Sequence, residues 1–313
     1  MGFRLMKKIV FFTIGLIFAN FSFASESSKP YLYILGVAQD AGYPQAGCYQ
    51  PHCMPGWQNK NLRRTATSIA LIDPANKKSY LFEATPNLPE QMYQLEQEAP
   101  SKQYPLSGIF LTHAHIGHYA GLMFLGHEAM GANQIPVYAM PRMKYYLLKN
   151  GPWSQLVSFK NIILKSLKDN TSINLNEIKV TPFLVPHRDE YSETVGYKIE
   201  GPNKSAIFIP DINKWSVWKT DLAKLIQQVD YALLDATFYA DGELPGRDMS
   251  KIPHPFVSET MTLLKDLPAK DKNKIWFIHF NHTNPLLNTD SEQAKTVKAN
   301  GFNVAKEGVR LEL

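Results

Sequence analysis

Short apolar runs recur along the chain from residue 31 onward, and polar or glycine- and proline-containing segments separate them. Runs of this length that are rich in Val, Ile, Leu and aromatic residues predict buried β-strands. We expect strands at residues 31–36, 67–72, 79–83, 108–111, 135–139, 178–184, 195–199, 206–209, 230–235 and 274–279, with further strand-like spacing over 157–167. The turn at residues 73–78 predicts that the second and third of these strands form a hairpin.

Segments between several of these strands have a composition that favours helices. Helices are expected at residues 89–98, 141–150, 222–228 and 257–267, and another begins within 119–125. The sequence has no internal repeat or linker-like segment that would divide it into domains. The order of elements, with strands first and then strands alternating with helices, predicts an α/β fold. In this fold helices cover two mostly β layers. This is a single-domain, four-layered αββα sandwich.

The first 24 residues have the pattern of a secretory signal peptide. Arg4, Lys7 and Lys8 precede a short apolar core, and residues 22–24 form a small-x-small cleavage site. Because the apolar core is too short to cross a bilayer, we expect cleavage; a retained N-terminal anchor is the alternative. The mature domain would then be residues 25–313, periplasmic or secreted, with no membrane attachment after cleavage.

Cleavage of this segment would lower the net charge of the protein. The formal charge falls from +5 to +2, because three basic residues and no acidic residue are removed. The remaining charge is modest, and the chain has no basic run of the kind that follows a phosphate backbone. We therefore expect a small-molecule substrate rather than nucleic acid. The sequence leaves the oligomeric state open.

Both cysteines, Cys48 and Cys53, lie in a long polar segment at residues 37–64. A loop of this length in a compact domain is usually functional or held by a cross-link. In an oxidising compartment a local disulfide is the expected state. The alternative is a structural zinc site that includes His52, although two thiolates and one histidine leave the ligand set incomplete.

Three of the nine histidines, His113, His115 and His118, fall within six positions directly after the strand predicted at 108–111. Because His113 and His115 are two residues apart, both imidazoles point the same way at an extended strand end. His118 lies in the turn before a helix, and neutral imidazole is the commonest metal ligand near neutral pH. The pattern predicts a metal site; three solvated loop histidines are the alternative.

Four more ionisable residues, His187, Asp211, Asp235 and His279, each lie at or just after the end of an apolar strand. In layered α/β folds such residues gather along one sheet edge, where binding sites form. Any one of them alone is more often a loop residue or a paired core group. Their coincidence with the histidine cluster predicts a common site.

The segment that contains His113, His115 and His118 resembles the His-x-His-x-Asp-His signature of the metallo-β-lactamase superfamily. It departs at Gly117, where the family has an Asp that binds the second metal and orients the attacking water. The resemblance therefore implies a first metal site and leaves the second without one of its ligands.

The later residues follow the order of the same superfamily's motifs. The resemblance implies that His187 is the third ligand of the first metal, Asp211 a bridging carboxylate, and His279 the last histidine of the second metal. His282 is either a residue behind the ligands or a replacement for what Gly117 cannot supply. The implied cofactor is zinc, as one or two ions, with manganese or iron also suited. Bound zinc would hold a hydroxide near neutral pH, because it lowers the pKa of bound water to about 7.

Within the superfamily the chain resembles the family of the pyrroloquinoline-quinone biosynthesis protein B over nearly its whole mature length. The likeness lies in residues 35–48, 81–91, 233–243, 277–286 and 301–308. The chain departs from that family in having His113, His115 and His282, and in having Gln50 where the middle one of three cysteines would stand. A cytoplasmic biosynthetic role also fits poorly with an export signal.

Asp235 and His254 resemble the carboxylate–histidine pair of the superfamily's phosphodiesterases, among them the tRNA 3′-end processing enzymes. In those enzymes the histidine protonates the leaving oxygen and the acid orients the histidine. The alternative is that Asp235 caps a turn and His254 is a loop residue.

The function expected from these residues is that of an exported metal-dependent hydrolase. It would use a metal-bound hydroxide on a phosphodiester or another ester-like small molecule. Two alternatives stay open: an oxidative, iron-dependent enzyme like the quinone-biosynthesis family, and a non-catalytic small-molecule binding protein on the same scaffold.

Overall fold

The computed structural model describes residues 1–2 and 29–313. The predicted signal peptide, residues 1–24, therefore lies outside the described residues except for its first two positions, and it stays a prediction. Among the described residues, no helix combines the length and the apolar character that crossing a membrane requires.

The described chain forms two seven-stranded sheets. In chain order the strands are β1 (Tyr31–Gly36), β2 (Ser68–Asp73), β3 (Lys78–Phe82), β4 (Leu106–Phe110), β5 (Ile135–Ala139), β6 (Ile162–Ser166), β7 (Ile173–Leu175), β8 (Ile178–Leu184), β9 (Val195–Glu200), β10 (Ser205–Ile209), β11 (Tyr231–Asp235), β12 (Ile275–Ile278), β13 (Asn303–Val304) and β14 (Arg310–Glu312). The strand order is β14-β1-β2-β3-β4-β5-β6 in the first sheet and β13-β12-β11-β10-β9-β8-β7 in the second.

Each sheet is antiparallel on one side and parallel on the other. Strands β3 to β6 run parallel in the first sheet, and strands β10 to β13 run parallel in the second. Parallel neighbours end at the same edge of a sheet. The loops after β10, β11 and β12 therefore leave the second sheet side by side, and the polar residues at those strand ends are brought together.

Aromatic side chains fill the space between the two sheets. Phe82 and Phe110 of the first sheet stack with ring centroids 4.9 Å apart, and both meet Tyr197 of the second sheet edge-on, at 5.2 and 5.7 Å. Large rings in these arrangements supply much of a core's apolar burial. The Tyr197 hydroxyl also donates to the carbonyl of Leu111, two residues before His113. The core thus fixes the end of β4 against the second sheet.

Helices pack on the outer faces of both sheets, and shorter ones lie in the connecting loops. They are α1 (Met54–Gln58), α2 (Leu88–Glu98), α3 (Ile116–Tyr119), α4 (Pro141–Lys149), α5 (Trp153–Ser158), α6 (Leu222–Gln227), α7 (Val257–Leu263), α8 (Ala269–Lys272) and α9 (Glu292–Ala299). Leu88 of α2 and Met143 of α4 pack in the apolar cluster outside the first sheet, and Ile226 of α6 and Val297 of α9 pack with the second. The predicted αββα sandwich is confirmed.

The structure corrects several predicted boundaries. Residues 157–158, predicted as the start of a strand, belong to α5, because Trp153 and Leu156 bury one face of that helix; β6 begins only at Ile162. The helix predicted at 257–267 ends earlier, at Leu263. The helix predicted within 119–125 is instead α3, which is followed by a 3-10 turn over Ala120–Leu125.

Candidate metal centre

The ionisable residues at the predicted strand ends meet at one edge of the two sheets. In the first sheet, His113 and His115 follow β4, and His118 lies in α3. In the second sheet, His187 follows β8, Asp211 follows β10, Asp235 ends β11 and His279 follows β12. Hydrogen bonds tie this edge of the first sheet to the second. Val195 donates its backbone N–H to the Thr112 carbonyl at 3.2 Å, and Ala114 donates to the Ser192 hydroxyl at 2.8 Å.

Four of these residues form what we call the first cluster: His113, His115, His187 and Asp211. His115 Nδ1 lies 2.9 Å from His113 Nε2 and 3.2 Å from His187 Nε2. Asp211 Oδ2 lies 3.3 and 3.2 Å from the same two Nε2 atoms. Ligands bound tetrahedrally to zinc at about 2.0–2.1 Å stand roughly 3.3 Å apart. The first cluster therefore has the dimensions of a zinc site.

The outer nitrogen of each imidazole in the first cluster has a partner of its own. The pairs are His113 Nδ1 with Thr112 Oγ1 at 2.8 Å, His115 Nε2 with Glu190 Oε2 at 2.9 Å, and His187 Nδ1 with Asn213 Oδ1 at 3.2 Å. Such partners fix the ring orientation and leave the lone pair of the other nitrogen for a metal. All three rings are thus held with one nitrogen directed into the cluster.

A second cluster lies beside the first and consists of Asp40, His118 and His279. His118 Nε2 is 3.3 Å from Asp40 Oδ1, and His279 Nε2 is 3.8 Å from the same oxygen. Asp211 Oδ2 lies 3.7 Å from His118 Nε2, so this carboxylate stands between the two clusters.

The donor atoms of the second cluster are buried and unpaired. Asp40 Oδ1, His118 Nε2 and His279 Nε2 have no hydrogen-bond partner among the described residues. Buried polar atoms are rarely left without a partner, and three of them in one place cost considerable free energy. A cation between them would satisfy all three, so the residues present fit a second ion.

Two residues orient the imidazoles of the second cluster. Glu83 Oε2 lies 3.1 Å from His118 Nδ1, and Thr237 Oγ1 lies 3.0 Å from His279 Nδ1. Glu83 is fully buried, and its other oxygen accepts from the backbone N–H of Thr112 at 3.0 Å. One carboxylate therefore holds both His118 and the strand end that leads to His113.

Comparison with known protein families agrees with this fold and geometry. The model of the β-lactamase superfamily domain matches residues 78–280, well over half of the chain. The chain belongs to the metallo-β-lactamase superfamily. Its two clusters form a His/Asp metal site at the edge of this metallo-β-lactamase fold.

Within the superfamily the chain is similar to coenzyme PQQ synthesis protein B. It is 26% identical to that protein of Methylobacterium sp. (strain 4-46) over 306 residues, covering 90% of this chain and 99% of the relative. It is 27% identical to that of Acinetobacter baumannii (strain SDF) over 316 residues, covering 90% of this chain and 100% of the relative. The expected resemblance to this family is confirmed.

Solved structures show the same likeness. The crystal structure of Zn²⁺-bound PqqB from Methylobacterium extorquens matches with a TM-score of 0.75 at 25% identity, covering 90% of this chain and 100% of that one. A diphosphatase from the PhnP family matches with a TM-score of 0.62 at 21% identity, covering 91% of this chain and 97% of that one. The second likeness supports the metallo-β-lactamase fold only.

Burial and mutual charge shift the pKa values of the site residues in both directions. Burial lowers the pKa of His279, and burial together with the His118 charge lowers that of His113 well below its usual range, so both rings are neutral. Burial opposes ionisation of Asp40, but its ion pair with His118 outweighs burial and lowers the Asp40 pKa to about 2. At Asp211, the charges of His187 and His254 outweigh burial in the same way. Burial opposes protonation of His118 and His115, but Glu83 and Asp40 outweigh it and raise the pKa of His118 well above its usual value, and Asp211 and Glu190 raise that of His115. Because imidazoles bind metals in their neutral form, a bound ion would replace the proton on these two rings.

Asp235 and His254 form a buried pair next to the first cluster. His254 Nδ1 lies 2.9 Å from Asp235 Oδ2 and 3.2 Å from Asp211 Oδ1. Asp235 also accepts from the backbone N–H groups of Thr237 and Ile212, so it caps the turn after β11 while it holds His254. Burial opposes protonation of His254, but the charges of Asp235 and Asp211 outweigh it and raise the His254 pKa to about 9.

His282, expected either behind the ligands or as a replacement ligand, lies in neither cluster. The structure places His282 with Cys48, His52 and Cys53, and its ring centroid is 5.6 Å from that of His52. Three residues after His279 the chain has turned away from the second cluster and toward the long loop at 37–64. Cys48 and Cys53 form the expected disulfide there.

Sequence analysis missed Asp40, Glu83 and Glu190. Asp40 and Glu83 are isolated acidic residues, and Glu190 follows Asp189 directly. Asp40 and Glu190 lie in loops whose paths only tertiary packing decides. The one signal for Asp40 was indirect: Gly117 leaves a ligand missing, and a long loop of the same chain carries a carboxylate.

Proposed function

We propose that the protein is an exported metal-dependent hydrolase that acts on a phosphodiester or another ester-like bond in a small molecule. The observation that carries this proposal is the position of the His254–Asp235 pair directly beside Asp211 of the first cluster. A bound divalent ion would polarise the ester and lower the pKa of the attacking water. A proton donor next to such a site is what cleavage of a poor leaving group requires.

Asp235 and His254 would supply the acid catalysis. Asp235 holds His254 through Nδ1, so the second ring nitrogen of His254 is the one that faces a substrate. The water oxygen forms a bond to phosphorus and releases one proton to solvent, the bond from phosphorus to the leaving oxygen breaks, and His254 gives its proton to that oxygen. His254 then takes up a proton from solvent before the next turnover. Positioned acid catalysis of this kind is typically worth about 10²–10⁴ in rate.

The test is a leaving-group comparison on the mature protein, residues 25–313, loaded with zinc or manganese. Bis-p-nitrophenyl phosphate and an alkyl phosphodiester would be compared for wild type and His254→Ala. Because p-nitrophenolate leaves without help, we expect His254→Ala to lower kcat by about 10²–10⁴ for the alkyl ester and much less for the nitrophenyl ester.

The matched control is His127→Ala, since His127 is an exposed histidine that only packs on Phe159. It should leave both rates and the metal content unchanged. A wild-type protein with stoichiometric metal that turns over no phosphodiester, lactone, lactam or thioester would refute the hydrolase. Export is tested separately: N-terminal sequencing of the periplasmic protein should begin at Ser25.

The second candidate is an oxidative enzyme, favoured by the similarity to coenzyme PQQ synthesis protein B over 90% of the chain. Three imidazoles and one carboxylate in the first cluster also suit non-haem iron. Expression in iron-replete medium distinguishes the two candidates. Stoichiometric iron with substrate-dependent oxygen consumption supports the oxidative enzyme, and zinc with no oxygen consumption excludes it.

A further inference from the structure

The second cluster is complete although position 117 supplies no ligand. We propose that Asp40, on the loop after β1, binds the second metal ion in place of the carboxylate that Gly117 lacks. The inference rests on the metal-dependent function proposed above, but it concerns ion binding and requires no turnover.

The backbone of Asp40 occupies the space next to residue 117. A Cβ atom built on Gly117 would lie 2.3 Å from the Cα of Asp40 and 2.8 Å from both its Cβ and its carbonyl oxygen. No real Cβ atom approaches backbone so closely. A side chain at residue 117 and the observed position of Asp40 therefore exclude each other, and glycine is the residue that admits the Asp40 loop.

The Asp40 carboxylate is directed into the second cluster. Its side chain is 44% exposed as a whole, yet Oδ1 is buried and lies 3.3 Å from His118 Nε2. An aspartate on a loop would normally turn its oxygens to water, since a buried carboxylate oxygen without a hydrogen bond is unfavourable. Asp40 Oδ1 instead faces two imidazole nitrogens that are themselves unpaired.

Backbone hydrogen bonds hold the Asp40 loop against the His279 segment. Gln39 donates its backbone N–H to the Phe280 carbonyl at 2.7 Å, and Phe280 donates to the Val37 carbonyl at 2.8 Å. The residues before Asp40 and after His279 are thus paired like a short strand. This pairing fixes Asp40 opposite His279 rather than leaving it on a free loop.

The backbone at the second cluster has an unusual conformation. Asp40, Glu83 and His279 all have positive φ, at 41°, 80° and 71°. The other non-glycine residues of the described chain with positive φ are all exposed: Lys77, Gln134, Lys160, Asn170 and Asn176. Strained conformations away from exposed turns persist only where surrounding contacts impose them, and they concentrate at functional sites. Three of them meet at the second cluster.

The first experiment removes the charge of Asp40 while keeping its shape. Mature wild type, Asp40→Asn and Asp241→Asn would be equilibrated with Zn²⁺, and separately with Mn²⁺, and titrated calorimetrically with metal analysis after gel filtration. Asp241 is the matched control, because it is an exposed loop carboxylate that accepts only from Gly242. We expect two ions per chain in wild type and Asp241→Asn. In Asp40→Asn the second ion should bind more than about 100-fold more weakly while the first is retained.

The second experiment displaces Asp40 by steric contact and removes no metal-binding atom from the chain. Gly117→Ala should push the Asp40 backbone away and weaken the second ion as Asp40→Asn does. Gly151→Ala is the matched control, because nothing lies within 4 Å of a Cβ there and its φ is ordinary. It should bind both ions like wild type. Anomalous scattering from zinc-loaded Gly117→Ala crystals should show the ion at the first cluster alone.

Retention of both ions with unchanged affinity in Asp40→Asn overturns the inference, and so does loss of both ions from an Asp40→Asn protein that is folded by circular dichroism. Wild type that binds a single ion overturns it as well. These readouts are independent of the hydrolase proposal. If the protein binds two ions but cleaves no ester, this inference stands and the proposed function is refuted. If it is an active hydrolase that binds one ion, the proposed function stands and this inference is refuted.

Discussion

At the scale of single residues, the candidate site depends as much on the groups that orient the imidazoles as on the imidazoles. The histidines were predictable, because His113, His115 and His118 show ligand spacing in the sequence. Glu83 and Asp40 were not, because each reaches the site only through the folded path of the chain. Gly117 is an example: the sequence shows that the motif lacks a carboxylate there, but only the structure shows that Asp40 occupies the adjacent space.

Glu83→Gln tests the role of the buried carboxylate behind His118. The amide keeps the shape and the acceptor for Thr112 but loses the charge that orients and polarises the His118 ring. Loss of such a partner typically weakens metal affinity by about 10–100-fold. Titration calorimetry should show this weakening for the second ion, and the exposed Glu90→Gln variant should bind like wild type. Equal affinities in Glu83→Gln and wild type would contradict the assigned role.

Glu243 should make stability depend on pH. Burial raises its pKa from 4.5 to about 7, partly offset by hydrogen bonds from Thr283 and from the Tyr239 backbone. Because the folded-state pKa is raised, the stabilising contribution is fully present below about pH 4.5 and is lost as pH rises through about 7. Urea unfolding from pH 4 to 8 should show Glu243→Gln gaining stability relative to wild type as pH rises. A difference that is constant with pH would refute this.

At the scale of elements, the sequence predicted the central strands and the site residues that follow them, but it did not predict the short strands at the edges of the sheets. Apolar runs that end in His187, Asp211, Asp235 and His279 predicted both the buried strands and the functional edge. The short strands β7, β13 and β14 carry too few residues to show a period, and α9 has only Ala294 and Val297 buried. Their positions follow from pairing with strands already in place.

Tyr197 tests whether the core between the sheets fixes the ligand-bearing end of β4. Its hydroxyl donates to the Leu111 carbonyl, and its ring meets Phe82 and Phe110. Tyr197→Phe keeps the ring contacts but leaves a buried carbonyl unpaired, which should lower the free energy of unfolding by about 1–3 kcal/mol. The exposed Tyr145→Phe should change it by less than about 0.5 kcal/mol. Equal denaturation midpoints for Tyr197→Phe and wild type would show that the bond contributes nothing.

At the scale of the whole molecule, each sheet supplies part of both the first and the second cluster. The first sheet and the loops next to it provide His113, His115, His118 and Asp40, and the second provides His187, Asp211 and His279. Neither sheet alone holds a complete ligand set. Ion binding should therefore stabilise the packing of the two sheets, because a ligand that binds only the folded state shifts the folding equilibrium toward it.

The most direct measurement is a crystal structure of the mature protein grown with zinc, with anomalous data collected on both sides of the zinc edge. The account predicts one anomalous peak bonded to His113, His115, His187 and Asp211 and a second bonded to Asp40, His118 and His279. Zinc-containing crystals with no peak at these residues, or with the peak only beside His52 and His282, would contradict it.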